Sequence, residues 1–285
     1  MKILIIGGNG QLGKTLLSLA PLKIGDDSVE IISINRKDLD LCDLKACKKL
    51  VRQIKPDFLI NAAAYTFVDL AEKDSEISFL VNALAPMAFA EAIKETNGQF
   101  IHFSTDYVFD GNTSQPYQTF DSKKPINIYG KSKSEGENYI LKILDNSKQC
   151  HIIRTSWLIS QYGENFLIKI LRLLRQEEIL SIVSDQISAP TSTISLAKAS
   201  WNLIKIIHLT KESTSIMHWT DCGLASWYDL AEAISEYAKG LGLLTNPAKI
   251  IPIKTSAYQL AAKRPIYSVL DVSKSLKYFE TEQTY

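Results

Sequence analysis

The sequence contains no Cys-x-x-Cys pair; its four cysteines, Cys42, Cys47, Cys150 and Cys222, stand apart. The four histidines, His102, His151, His208 and His218, do not join them at zinc-ligand spacing. A disulfide scaffold and a metal site are therefore not expected, and free thiols in a reducing compartment are. No basic block occurs either. The 32 Lys+Arg and 31 Asp+Glu leave a net charge of +1 spread along the chain, which lacks the electrostatic footprint of a nucleic-acid binder. No apolar run approaches the ~20 residues that span a bilayer. The first strand pattern starts at Lys2, so neither a membrane anchor nor a leader is expected. Asn112-Thr113-Ser114 fits a glycosylation sequon, which without secretion is chance. Internal repeats and low-complexity stretches are missing as well. These absences describe a cytoplasmic protein that meets a small ligand, not nucleic acid or a membrane.

What is present is a large apolar fraction. Of 285 residues, 46% are apolar, enough for one large domain or for two that share an interface. In the first half, short apolar runs at Ile3 to Ile6, Val29 to Ile34, Asp57 to Ile60 and Gln99 to Phe103 have the form of buried strands. Helical patterns separate them at Gln11 to Leu19, Leu44 to Ile54 and Glu76 to Glu95. A helix from Tyr129 to Leu144 and a strand from His151 to Arg154 continue the alternation. Such a rhythm implies an α/β fold with a parallel sheet covered on both faces. After Arg154 the regularity loosens. Helices are expected at Asn165 to Gln176, Ile194 to Ile207 and Trp227 to Lys239, among loops containing Pro190, Gly223 and Pro247.

Gly7-Gly8-Asn9-Gly10-Gln11-Leu12-Gly13 follows the first strand and opens the first helix. Glycines spaced in this way permit a tight turn, close approach of backbone to a pyrophosphate, and close helix–strand packing. The helix N-terminus offers free N–H groups and partial positive charge to the anion. A glycine triplet alone is weak evidence; its strand–turn–helix context makes it a dinucleotide cradle. We therefore expect a Rossmann-type doubly wound sheet over residues 1–156. A smaller substrate-binding lobe is expected over 157–285, with about 193–220 returning to the sheet. At the ribose end the second strand runs into Asn35-Arg36. A guanidinium there suits the 2′-phosphate of NADP, while Asp38 or Asp40 could instead hold ribose hydroxyls, with Arg36 left in solvent. Asp43 and Leu44 are expected to close over the adenine.

Tyr129 and Lys133 are four residues apart and share one helix face. A lysine ammonium beside a phenol favours the phenolate and lowers a pKa that is ordinarily about 10. The tyrosine can then protonate an alkoxide formed when hydride reaches a carbonyl carbon. Thr105, at the end of the fourth strand, could donate to the same oxygen. A lone Tyr-x-x-x-Lys is common by chance; after a cradle and a strand-end hydroxyl, in that order, it is specific. Lys131, two residues on, points elsewhere.

These residues make the chain resemble the extended short-chain dehydrogenase/reductases, and among them the dTDP-4-dehydrorhamnose reductase family. Further carriers are Asn61 to Thr66 with Val68-Asp69, Ser104-Thr105-Asp106-Tyr107-Val108-Phe109, Arg154-Thr155-Ser156-Trp157, Asp185-Gln186 with Ala189-Pro190-Thr191, and Arg264-Pro265. The resemblance spans almost the whole chain. It implies reduction of the C4 ketone of a nucleotide-activated 6-deoxyhexose, with NADPH as cofactor and NADH as the alternative. It places Ala63, Ala64, Tyr65 and Thr66 along the cofactor, gives Lys133 the nicotinamide ribose, and sets Thr105, Asp106, Tyr129 and Trp157 toward the sugar. Trp157 could stack on the sugar or simply fill the lobe interface. Asn165 and Arg264 are expected to contact phosphate or hydroxyl groups, whereas Asp69 and Glu72 are expected to be structural. Some members dimerise around magnesium through two glutamates. Thr15 and Ile194 stand in those places here, neither of them a ligand for a hard cation, so a monomer or a homodimer without a metal bridge is expected. Two rival functions stay open: reduction of a different nucleotide-sugar, and a catalytically idle regulatory subunit.

Overall fold

The computed structural model describes residues 1–144, 148–210 and 214–279. Its central sheet comprises β1 (Lys2–Ile6), β2 (Glu30–Ile34), β3 (Phe58–Asn61), β4 (Gln99–Thr105), β5 (Cys150–Thr155) and β6 (Ile216–His218). All six run parallel, in the order β6-β5-β4-β3-β1-β2. The longer helices are α1 (Gln11–Ser18), α2 (Leu44–Ile54), α3 (Ser75–Thr96), α4 (Ile128–Leu144), α5 (Phe166–Gln176), α6 (Thr193–Thr210), α7 (Trp227–Gly240) and α8 (Ser273–Phe279).

Side chains alternate across a strand, and β1 shows the consequence. Ile3 and Ile5 join a core with Leu12 and Leu16 of α1 and Trp201 and Ile204 of α6. Leu4 and Ile6 enter a second core with Val51 of α2, Phe89 of α3 and Ile140 of α4. A strand apolar from Ile3 to Ile6 thus buries both faces, as a parallel sheet requires. The strand order reverses beside β1, where neighbours β2 and β3 leave in opposite directions. The carboxyl ends of strands at such a reversal form the usual ligand crevice of open α/β sheets.

α3 departs from the expected regular helix. It is also long and apolar enough, by length and composition, to cross a membrane, contrary to the expectation that no stretch would be. About 56% of its most apolar window is buried, and it packs against α2 and α4 as a core helix does. Within it, Leu80–Leu84 forms a wide π turn that ends with Ala85 N–H donating to Leu80 O. The cause is local. Pro86 has no N–H to offer the Asn82 carbonyl. That carbonyl presses on Gly136 of α4, where an added Cβ would sit 2.2 Å from it. The widened turn aims the Asn82 amide at the ends of β3 and α4. It accepts from Tyr65 N at 2.8 Å and donates to Tyr65 O at 3.0 Å and Ser132 Oγ at 3.1 Å.

The second lobe is built on α5 and α7, which bury Ile170, Leu174, Ala231 and Ile234 over a parallel strand pair, Ile179–Val183 with Lys249–Ile253. α7 starts at a reciprocal cap between Ser226 and Asp229. Residues 193–210 and 216–218 lie against the first lobe, where α6 packs on α1 and β6 extends the sheet. α8 packs there too, on α6 and β6, a return that the sequence reading does not contain.

A buried ion pair fastens α4 to β5. Arg154 Nε and Nη2 donate to Glu137 Oε1 and Oε2 at 2.9 and 2.8 Å. Lys123 reaches Glu137 Oε2 at 3.1 Å, and the guanidinium lies 5.1 Å from the Phe109 ring centre. Burial alone would raise the Glu137 pKa, but the charge and hydrogen bonds of Arg154, helped by Lys123, bring it down to about 2. Its stabilising contribution is therefore complete above the ordinary value of 4.5 and is lost as pH falls toward about 2. Replacing one partner of a buried pair strands the other's charge. Glu137→Gln should lower the unfolding free energy by about 3–5 kcal/mol in urea titrations near neutrality.

Candidate active site

One cleft of about 1050 Å³ runs along the carboxyl ends of β1 to β5 and between the lobes. At its floor Gly7 has φ +85°, a left-handed conformation that only glycine adopts freely. Gly7 and Gly8 N–H groups donate to Ile34 O of β2, and Gly10 N–H turns back to Gly7 O. A Cβ on Gly13 would stand 2.1 Å from Gly7 O, so this residue, behind the cleft wall, must be glycine for α1 to approach β1. Gly10 caps α1 with no side-chain bond, and Gly10, Gln11 and Leu12 face the cleft. The first turn of α1 thus keeps backbone donors that no side chain caps, the arrangement that suits a pyrophosphate.

At the ribose end, Asn35 and Arg36 line the cleft, Arg36 exposed. Asp38 Oδ2 accepts from Asn35 N at 2.9 Å, so that carboxylate shapes the turn. Asp43 and Leu44, expected over the adenine, do not line the cleft. The Asp43 carboxylate caps α2 through Ala46 N at 2.9 Å, and Leu44 packs on the core. The wall at this point is Leu39, Asp40, Leu41 and Cys42.

Ala63, Ala64, Tyr65 and Thr66 line the next stretch. Tyr65 donates its hydroxyl to Asp74 at 3.0 Å and packs edge-on against Phe67. Across from them stand Thr105, Asp106, Tyr129 and Lys133. Thr105 Oγ1 donates to Asp106 Oδ1 at 2.9 Å, and the other Asp106 oxygen accepts from Ser188 and Ser268. Burial raises Asp106 to about 6 against the pull of these bonds.

The electrostatics of Tyr129 differ from the expectation. Burial pushes its phenol up to about 12, a hydrogen bond with Thr105 pulling down and the Asp106 charge pushing up. Lys133 does not attend it. The lysine Nζ turns inward to Phe103 O at 2.5 Å and His102 Nε2 at 3.2 Å. Burial lowers this amine to about 8, with Glu137 acting the other way. Engaged with Phe103 O and His102, the Lys133 nitrogen is not among the groups that pull the Tyr129 phenol down.

Trp157 lines the cleft with φ +44°, an unfavourable backbone for a tryptophan. Its ring stacks on Trp227 at 3.5 Å between centroids and 10° between planes, and Phe166 tilts against Trp227 at 4.5 Å. Trp157 therefore both faces the cleft and joins the lobes. Asn165 also lines the cleft, but its amide is engaged: it caps α5 through Ile168 N and donates to Gln11 Oε1 and Ser160 O. Arg264 likewise holds a two-pronged bond to Asp69, at 3.1 and 2.5 Å. Both positions, expected to contact phosphate or hydroxyl groups, line the cleft, and each also ties residues of the two lobes together. Thr155 Oγ1, by contrast, is buried on the cleft wall with no partner among the described residues. Thr15 spends its hydroxyl on Gln11 O and Thr193, and Ile194 is exposed.

Sequence reasoning missed Trp227, Phe166, Asn82 and His102. Trp227 was legible only as the first residue of an expected helix, and the others come from long-range packing.

Cradle, strand-end hydroxyl and the Tyr129–Lys133 face on one cleft are the architecture of an extended short-chain dehydrogenase/reductase. The family described as RmlD substrate binding domain matches residues 1–285. A dTDP-4-dehydrorhamnose reductase of Aggregatibacter actinomycetemcomitans is 38% identical over 96% of this chain and 91% of its own. A dTDP-4-keto-6-deoxy-D-glucose reductase of Streptomyces niveus is 32% identical over 94% and 87%. The solved dTDP-4-dehydrorhamnose reductase of Bacillus anthracis, in complex with NADP, superposes with a TM-score of 0.87 at 32% identity over 99% and 94%. The chain belongs to the RmlD substrate-binding family.

The Trp157–Trp227 stack yields a prediction independent of function. Trp227→Leu should abolish an exciton couplet in circular dichroism. It should also lower unfolding stability by at least the ~0.5–1.5 kcal/mol of a ring pair.

Proposed function

We propose that this chain reduces the C4 ketone of dTDP-4-dehydro-L-rhamnose to dTDP-L-rhamnose with NADPH. The observation that carries the reading is that Thr105, Tyr129 and Lys133 line the same cleft as the Gly7–Gly13 cradle. The cradle fits a dinucleotide: it has no room for the Cβ that Gly7 or Gly13 would otherwise carry, and its helix N-terminus is open. Arg36 would hold the 2′-phosphate, Ala63 to Thr66 would border the cofactor, and Lys133 would hold the nicotinamide ribose. When bound, NADPH supplies the hydride.

The chain's own residues then have to place the ketone and protonate its oxygen. With its pKa near 12, Tyr129 keeps its proton at neutral pH. It gives that proton up only as negative charge grows on the carbonyl oxygen, which is the behaviour of a general acid. Thr105 Oγ1, now donating to Asp106, can turn to the same oxygen while Ser188 and Ser268 keep the carboxylate anchored. Trp157 offers a flat apolar face to the deoxysugar and excludes water. Thr155 supplies one further buried hydroxyl for a bound ligand. We place the reaction in the cytoplasm, a reading that the four free thiols support, and the chain as a monomer or a homodimer without a metal bridge. Retention of Thr105, Tyr129 and Lys133 argues against an idle regulatory subunit.

Arg36→Ala should weaken NADPH binding while leaving NADH nearly unchanged, as read by fluorescence titration. Equal affinity of the parent for both cofactors would remove Arg36 as the phosphate reader. Tyr129→Phe should reduce turnover by about 100- to 10,000-fold with little change in cofactor affinity. The assay is NADPH oxidation with 4-keto-6-deoxy nucleotide-sugars; a parent that binds NADPH yet oxidises it with none of them would sink the reductase reading.

A further inference from the structure

Lys133 lies beside one buried group that the mechanism leaves unused. His102, fully buried on β4, bridges Asn61 and Lys133: Asn61 Nδ2 lies 3.2 Å from His102 Nδ1, and Lys133 Nζ lies 3.2 Å from His102 Nε2. The Asn61 amide is oriented by its other end, since Asn61 Oδ1 accepts from Ala63 N at 3.2 Å. With its oxygen facing an N–H, this amide presents its NH₂ to the ring. His102 Nδ1 must then be the acceptor, and the ring proton belongs on Nε2, pointing at Lys133. An ammonium has three donors and no lone pair, so it would oppose that N–H. A neutral amine instead accepts from Nε2–H and donates to Phe103 O at 2.5 Å, so each contact in the row pairs one donor with one acceptor.

The surroundings leave this arrangement unopposed. On α4, Glu137 is taken by Arg154 of β5 and by Lys123. After β4, Asp106 is filled by Thr105, Ser188 and Ser268. Tyr107 and Tyr129 are both pushed up by burial and stay neutral near pH 9. Burial also lowers His102, which excludes the imidazolium, and lowers Lys133 to about 8.

We propose that His102 is a positioning residue that holds Lys133 as a neutral amine in the cofactor-free protein under mildly alkaline conditions, and that cofactor binding recharges this amine with a proton from solvent. The second half rests on the reading that Lys133 meets the cofactor. The proton balance is simple: one buffer acid loses the proton that Lys133 gains, and Lys133 then leaves His102.

Two measurements test it at about pH 9, above the lowered lysine value. Long-range nitrogen–proton NMR of the cofactor-free protein should show His102 as the Nε2–H tautomer. An Nδ1–H tautomer or an imidazolium would overturn the proposal. Calorimetric titration with NADPH in two buffers of different ionisation enthalpy should show the parent taking up about one proton more than Lys133→Met. The 2′-phosphate contributes equally to both proteins and cancels. Equal proton uptake would overturn the recharging step. A parent that binds no NADPH would refute the cofactor reading, and the tautomer measurement would still decide the role of His102.

Discussion

Two charges shut away from water, Arg154 and Glu137, tie together the helix and the strand that bring Tyr129, Lys133 and Trp157 to the cleft. α4 carries Tyr129 and Lys133 near its start and Glu137 two turns on, while β5 runs through Arg154 into Trp157. Two short bonds between the guanidinium and the carboxylate therefore fix the helix that carries Tyr129 relative to the strand that delivers the tryptophan. A pair of this kind gives little net stability compared with apolar packing. What it supplies is register, since an ammonium or a shifted helix would leave a charge without its geometric partner.

The cleft is closed by polar bridges as much as by apolar contact. Gln11 with Asn165, and Asp69 with Arg264, each reach across more than 150 positions of sequence. Both bridges sit at the edges of the cleft, and the Trp157–Trp227 stack lies between the lobes. The lobes therefore meet through contacts that are directional at the rim and apolar inside.

Local pattern made the sheet legible. Ile3 to Ile6 announces a buried strand by composition alone, and Leu44 to Ile54 coincides with α2 because Asp43 caps one end and Lys55, in a left-handed turn, closes the other. The same Asp43 shows the limit. Its carboxylate can cap a helix or meet an adenine, and only the folded backbone decides between them. Lys133 is legible as a partner of Tyr129 by spacing, but its inward turn depends on Phe103 and His102, thirty residues earlier. The left-handed Trp157 runs against the preference of its residue type, and α8 returns to the sheet with no periodic signal to announce it. Cleft residues carried by motifs were readable; those carried by long-range partners were not.

The wide turn at Leu80–Leu84 has a consequence for how the helix tolerates length changes. One extra residue per turn absorbs about 100° of rotation. Downstream, Ala88, Phe89, Ala92 and Ile93 keep their core face; upstream, Asn82 keeps its grip on Tyr65. Excising a single residue there would leave a regular helix with two incompatible phases. Either the core would stay packed and Tyr65 would lose its clamp, or the clamp would stay and Phe89 would swing out of the interior. Loops at a protein surface commonly accept a change of length; along this helix, length itself helps to hold the cleft wall at Tyr65.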